Sequence, residues 1–363
     1  MTVPVQRLVA ALDLGSTKVT AIIGEVTGDS RSWGLRILGV GSERSTGVRR
    51  GIIRDFEETV RAITKAMTDA ERIAGIEVGT VYCGAGGEQI AQRISHGVAS
   101  VTGSEVRTSD LARVNDVAST VSFGHDQELL HAIPHDYLVD GQPGYADPIG
   151  MAGERVEAEV YILTARSSAL AHQRKAIEKA GWHVGEVVVE PLAASLAVLT
   201  PEEREMGAVL VDLGGGSTSV AIFQGGKLRH TASLRFAGGH LTSDLVHGLR
   251  VTQAEAERLK ERWGAAYEPL ISENEVVEVS TTAGHGPQPV QRRLIAHIMH
   301  MRLQEVLELA YDEVARAGWA MAGLPSGVVV TGGGAAAPGI VELTRDVFAA
   351  PVRIGVPADQ LRG

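Results

Sequence analysis

A single cysteine, Cys83, stands among 363 residues, so no internal disulfide can staple this chain. No charged-then-apolar leader precedes Leu8, and no run approaches the roughly 20 apolar residues that cross a bilayer. Both absences point to the cytoplasm as the expected compartment. Positive charge is also short: 34 Lys and Arg face 44 Asp and Glu, a net charge of -10 that favours solubility and argues against a nucleic-acid partner. The 43 glycines follow no period, which excludes collagen-like and low-complexity chains. The phosphate loop Gly-x-x-x-x-Gly-Lys-Ser/Thr is missing. What remains is an ordinary globular composition, 44% hydrophobic and 21% charged, long enough for two to four domains. Cys83, inside Val81–Gly84, reads as a small buried hydrophobe at a strand end.

The chain is organised around Val209–Phe223, where an apolar run ends at Asp212, turns through Gly214-Gly215-Gly216-Ser217 and leaves as a second apolar run. This reads as strand, tight turn, strand. Residues 11–24 repeat it, with Asp13, Gly15, Ser16, Thr17 and Lys18 at the corner. Glycines at such corners bring bare N–H groups up to an anion. Two copies of the same Asp-Leu-Gly hairpin predict a duplicated α/β chain that clamps a nucleotide between its halves.

Between these landmarks the pattern alternates. A helix is expected over 55–73, N-capped by Asp55, stopped by Gly75 and with Val60, Ile63, Met67, Ala70 and Ile73 inward. From Gly84 to about Leu163 the texture changes to short strand-like pieces (98–101, 137–139, 156–163) around a helix at 109–121, which predicts an inserted α+β subdomain. His125, His131 and His135 have no zinc spacing and fall in an expected loop containing Pro134. Glu190-Pro191 stands at a strand-to-helix corner, where Glu190 reads equally as a cleft-lining acid or as a helix-start acid favoured by the dipole. Gly238-Gly239 opens a helix whose N-terminus suits an anion. Thr252-Gln-Ala-Glu255 has the form of a capping box. Residues 265–289 read as a polar excursion, and a long helix over 290–317 turns Leu294, Ile295, Ile298, Leu303, Val306, Leu307 and Ala310 inward. Finally the strand at 327–331 meets Gly332-Gly333-Gly334-Ala335, a corner open to something flat or phosphorylated.

The set has a chemistry. A nucleoside triphosphate needs N–H donors, offered at Gly15–Thr17 and Gly214–Ser217, and a cation, offered by Lys18. Magnesium keeps most of its water, so Asp13 and Asp212 can hold it through that shell. Hydrolysis needs an oriented water, for which Glu190 can serve as polariser.

In this order, hairpin, Glu-Pro, hairpin and late triple glycine resemble the actin, sugar-kinase and heat-shock-chaperone ATPase superfamily. Within it, Leu130–Met151 and Val48–Ile53 resemble the FtsA family of bacterial cell-division proteins. The resemblance implies an actin-like duplicated ATPase fold with the nucleotide cleft between the halves. It implies four units: 1–83 with 164–200, the insertion 84–163, 201–235 with 311–363, and 236–310. It implies ATP and Mg2+ as ligands, with Asp13 and Asp212 on the magnesium side, Ser16, Thr17, Lys18 and Gly214–Ser217 as phosphate loops, Glu190 as the catalytic-type acid and Gly332–Ala335 as the adenosine loop. Glu257 and Lys260 would approach the ribose, although without the resemblance their spacing, three apart on one helical face, reads first as a solvated pair.

As partners the resemblance implies the C-terminal peptide of the tubulin-like protein FtsZ on 236–310, further copies of the chain in filaments, and other division proteins on 84–163. It implies a place at the division septum, and ATP as an assembly ligand with slow hydrolysis at most. Family members usually continue into a linker and an amphipathic membrane helix; the last residues here carry no basic-apolar pattern, so no membrane binding is expected of this chain alone. Two other readings share the fold, a metabolic phosphotransferase and an adaptor ATPase of pilus assembly. The first lacks a substrate lobe in 84–163, and the Leu130–Met151 signature speaks against the second.

Overall fold

The computed structural model describes residues 7–28, 33–120, 124–282, 286–357 and 361–362. Two sheets repeat one plan. In the first, the strand order is His183–Val189, Thr80–Ala85, Arg7–Leu14, Lys18–Gly28 and Trp33–Arg44, with the short Leu361–Arg362 beyond it. In the second, it is Val352–Ile354, Val328–Thr331, Ala208–Leu213, Thr218–Gln224 and Lys227–Leu234. Each central strand has an antiparallel hairpin mate on one side and a parallel strand on the other. The registers also match: Asp13 faces Thr20 and Leu14 faces Val19, as Asp212 faces Ser219 and Leu213 faces Thr218. The duplication is therefore one of topology and pairing, not of motif alone.

Helix Phe56–Ala74 covers the first sheet because its apolar face recurs at helical spacing. The Asp55 carboxylate accepts from Glu58 N at its start, and Gly75 ends it at φ 67°. Ile63, Met67 and Ala70 are buried as the spacing predicts, whereas Ile73 is exposed, being a turn too close to the C-cap. Helix Arg292–Arg316 backs the second sheet with Ile295, Leu303, Val306, Leu307 and Ala310 buried. Two differences from the expected helix have one cause: residues Pro287–Gln291 pair with Val276–Ser280 as a hairpin. That hairpin takes Val290 into a strand and gives structure to the polar excursion, and Leu294, in the first turn after it, is exposed. At Thr252 only half of the expected capping box forms. The Thr252 hydroxyl accepts from Glu255 N, while the Glu255 carboxylate binds Arg258 and Ser280 N instead of reaching back.

The insertion is a four-stranded sheet, in order Ile90–Ser100, Arg155–Arg166, Gln127–Val139 and Gln142–Tyr145, backed by helix Thr108–Ser119. The expected end of that helix at Val121 lies outside the described residues. Its strands are longer than their sequence suggests. Pro134, His131 and His135 sit within strand Gln127–Val139, not a loop, while His125 stays in the turn before it; the ladder slips at the proline, where Glu159 pairs with Asp136 and Val160 with Pro134, leaving His135 as the bulged residue. A bulge is where a sheet tolerates proline. His135 stacks on Tyr161 with ring centroids 4.9 Å apart, and His131 Nε2 accepts from Val189 N. Both rings serve packing. Tyr161 and Leu163 of the insertion share a core with Val189, Leu210, Phe223 and Val329, so this subdomain is wedged against the second sheet.

Candidate nucleotide cleft

The two hairpin corners meet. Each begins with a glycine that permits the same tight turn: a Cβ on Gly15 would stand 2.7 Å from Lys18 O, and one on Gly214 would stand 2.7 Å from Ser217 O. At the tips, a Cβ on Gly215 would collide with Thr17, and one on Gly216 with Ser16 Oγ, at 2.2 Å in each case. Ser16, Thr17, Gly215 and Gly216 therefore lie face to face, and a group can enter between them only as the tips part. The turns are braced differently. Arg50 N donates to Ser16 Oγ (3.0 Å) and Ser45 N to Thr17 O (2.9 Å). On the other side, Gly238 N and Gly239 N donate to Gly214 O (3.0 Å) and Gly215 O (2.8 Å). These two glycines, expected to offer their N–H groups to an anion, instead spend them holding the second hairpin turn.

Behind the tips three carboxyl groups converge. Water reaches Asp13 at the cleft floor, and Asp212 and Glu190 are half-buried, yet protein crowds all three. Burial pushes the Asp13 carboxyl up against the opposing pull of Lys18. Burial and the Asp13 charge push Asp212 to about 6. Burial, then Asp13 and Asp212, push Glu190 to about 8. Three acids that repel one another in a crowded site form an arrangement a cation relieves. Among the described residues no three His, Cys, Asp or Glu side chains are close enough to ligate one ion directly, which leaves room for the ion's own water.

Glycine corners hold these acids in place. Gly332, at φ 82°, runs so close that a Cβ would stand 2.1 Å from Asp212 Oδ1, and Gly334 lies against Leu213. The Glu190 carboxyl lies over bare backbone, with Oε2 only 1.8 Å from where a Gly86 Cβ would stand. The segment Gly84–Gly87 is thus the first sheet's counterpart of the triple glycine, each following the parallel strand beside the central one. Sequence reasoning missed it, although the Gly-x-Gly-Gly spacing at the end of an apolar run was a visible signal. It also missed Arg50, whose guanidinium joins Arg235 on the Glu88 carboxylate at 3.1 and 3.3 Å.

Glu257 and Lys260 lie on helix Gln253–Trp263 and form a half-buried ion pair. The buried Thr242 hydroxyl donates to Glu257 (2.9 Å) and accepts from Lys260 Nζ (3.0 Å). The solvated-pair reading therefore fails: both side chains are fixed one helical turn beyond Gly238. Gly333 has open space above it, and Ala335 is buried.

Comparison with known proteins accords with this architecture. The pattern described as "Cell division protein FtsA" matches residues 209–363, and that of the "SHS2 domain inserted in FTSA" matches residues 87–164. The chain is 36% identical to cell division protein FtsA of Pseudomonas aeruginosa, over 97% of this chain and 83% of that one. The chain belongs to the FtsA family. Its Bacillus subtilis relative is 36% identical over 97% of this chain and 79% of its own, and its Escherichia coli relative 34% over 97% and 84%. Among solved structures, a PilM–PilN type IV pilus biogenesis complex superposes with a TM-score of 0.68 at 16% identity, covering 98% of this chain and 90% of that one. MreB5 of Spiroplasma citri bound to ADP gives 0.54 at 16%, covering 96% and 92%. These likenesses establish the actin-like fold. An FtsA-family chain is a cell-division protein, and the alternatives of a metabolic kinase or a pilus ATPase are not favoured. Among the described residues no helix is long and apolar enough to cross a membrane.

Proposed function

We propose that this chain binds magnesium ATP between its two hairpin corners and assembles with its own kind into filaments that tie FtsZ to the membrane at the septum. The observation that carries the reading is the convergence of Asp13, Asp212 and Glu190 between two glycine corners of equivalent sheets. Asp13 and Asp212 would hold magnesium through its water, and the N–H groups of Gly15–Thr17 and Gly214–Ser217, with Lys18, would take the phosphates. Gly238 and Gly239 position the second turn from behind. Gly332–Ala335 would receive the adenosine, and Glu257 and Lys260 the ribose. Bound magnesium ATP supplies the phosphoanhydride; Glu190, facing both aspartates, orients a water towards it. Slow turnover fits a ligand whose main effect is to change how the halves sit against each other.

The same reading assigns the four units along 1–83 with 164–200, 84–163, 201–235 with 311–363, and 236–310. Residues 236–310 take the FtsZ C-terminal peptide, and 84–163 meets other copies and other division proteins. Membrane attachment belongs to a C-terminal helix of the family; residues 358–360 and 363 lie outside those described. The test is sedimentation and electron microscopy with and without magnesium ATP, together with anisotropy titration of a labelled FtsZ tail peptide. Filaments that need the nucleotide, and saturable peptide binding, are expected. A chain that pellets equally without nucleotide and ignores the peptide would sink the proposal.

A further inference from the structure

Behind the carboxylate cluster, Glu190 also forms one wall of a small cavity of mixed lining, in which Leu14, Val48, Ile53 and Ala169 are apolar and Gln89 and Gln173 are the other polar side chains. Gln89 comes from the turn that opens the insertion and Gln173 from helix Ser167–Ala180; they are 4% and 6% exposed. Each amide nitrogen is committed. Gln89 Nε2 donates to Gly51 O (2.9 Å), and Gln173 Nε2 to Gly84 O (2.6 Å) and to Cys83 Sγ. A backbone carbonyl only accepts, so neither amide can be turned over without setting oxygen against oxygen. Both Oε1 atoms are thereby fixed as buried acceptors, and among the described residues no group donates to either. The Glu190 carboxyl, laid over the bare Gly86, is the third polar group on the same space.

We infer that this cavity is a site for one internal water molecule, which bridges the amide oxygens of Gln89 and Gln173 to the Glu190 carboxyl and fixes how that carboxyl is presented to the cleft. The space suits about one water, and water has the two donors that two orphaned acceptors require. Gln89 and Gln173 are then positioning residues that act through this water. The three side chains come from the insertion, from a helix of the first half and from the helix that crosses to the second half, so the water sits where all three meet.

The water itself stands apart from the catalytic reading of Glu190; the positioning role rests on that reading. A crystal structure of the full chain, at a resolution that shows ordered water, should hold a single peak within hydrogen-bond reach of Gln89 Oε1, Gln173 Oε1 and Glu190. A cavity without density, or Glu190 turned directly onto an amide oxygen, overturns the site. In single-turnover phosphate release, Gln173→Met and Gln89→Met should each slow the step by roughly 10-fold, the lower end for a supporting-shell loss, with magnesium ATP affinity unchanged. A purely structural role would weaken affinity and thermal stability together instead. Gln89→Met carries the test if Gln173→Met does not fold. If Glu190→Gln slows release while both Met variants match wild type, the positioning role is refuted. If Glu190→Gln changes nothing, the catalytic reading of Glu190 fails while the density still decides the water.

Discussion

The two hairpins share a register and a turn, yet they are supported in different ways. The first, at Asp13–Lys18, carries a side-chain cation and is braced through a serine hydroxyl and a threonine carbonyl by the chain around Ser45 and Arg50. The second, at Asp212–Ser217, turns through three consecutive glycines and is braced by the first N–H groups of helix Gly238–Leu249. The glycine corners beside them diverge too: Gly332–Gly334 runs on towards helix Ile340–Phe348, while Gly84–Gly87 launches the insertion. Both copies keep an acid and bare backbone at the corner, while their surroundings differ. The first half thus couples its corner to the inserted subdomain and the second to a helix layer.

The strongest way to break the comparison is to remove the acids in turn. Asp13→Ala and Asp212→Ala should each weaken magnesium ATP binding by roughly 10–100-fold, the range for groups that hold a metal at second remove. Calorimetry with and without magnesium checks this. Equal losses mean equivalent halves; unchanged affinity in Asp212→Ala would discard the site.

Next come the glycine corners. Gly332 combines φ 82° with extended ψ, a region open essentially to glycine, and an added Cβ would meet Asp212. Gly332→Ala should therefore cost about 1–3 kcal/mol in urea unfolding and weaken the nucleotide as well. Gly86 has an ordinary extended backbone, at φ -149°, but faces Glu190. Gly86→Ala should spare most stability and impair phosphate release. The reverse pattern would show that the two corners are not counterparts.

How far this was legible in sequence depended on distance along the chain. Asp-Leu-Gly between apolar runs announces its hairpin within a dozen residues, so both corners and the α/β plan could be read. Gly86 matters only because Glu190 folds over it, and nothing local to residue 86 reveals that. Likewise Glu257 and Lys260 looked like surface charges because Thr242, which holds them, lies on the preceding helix. The ties of the insertion to the second sheet are equally non-local. Its Gln92 and Tyr161 in fact accept from Thr231 N, and Lys227 donates to His135 O. Deleting 84–163 would strip part of the second sheet's packing, so point substitutions test that subdomain more cleanly.

A smaller effect follows from the crowded acids. Glu190, held near 8 in place of 4.5, and Asp212, near 6 in place of 3.8, bind protons in the folded chain that the unfolded chain has released. Their contribution to stability is full below the ordinary carboxylate range and is lost as pH rises through the folded values. Without divalent cations the melting temperature should decline between about pH 4.5 and 8. Magnesium ATP should flatten the decline, as should Glu190→Gln. A melting temperature that rises over the same range would contradict the clustering of these three acids.

The least effect is expected at Thr242, which probes whether the second half's helix layer shapes the cleft at a distance. Valine keeps the volume and removes the hydroxyl, so Glu257 and Lys260 lose the group that fixes their pair against helix Gly238–Leu249. One ordinary hydrogen bond is worth about 0.5–1.5 kcal/mol, and Thr242→Val should weaken ATP by the corresponding few-fold. Adenosine should lose as much as ATP, because the pair is assigned to the ribose and not to the phosphates. A loss confined to ATP would instead mean that Thr242 acts through the Gly238–Gly239 bonds to the phosphate turn, moving its role from the sugar to the hairpin.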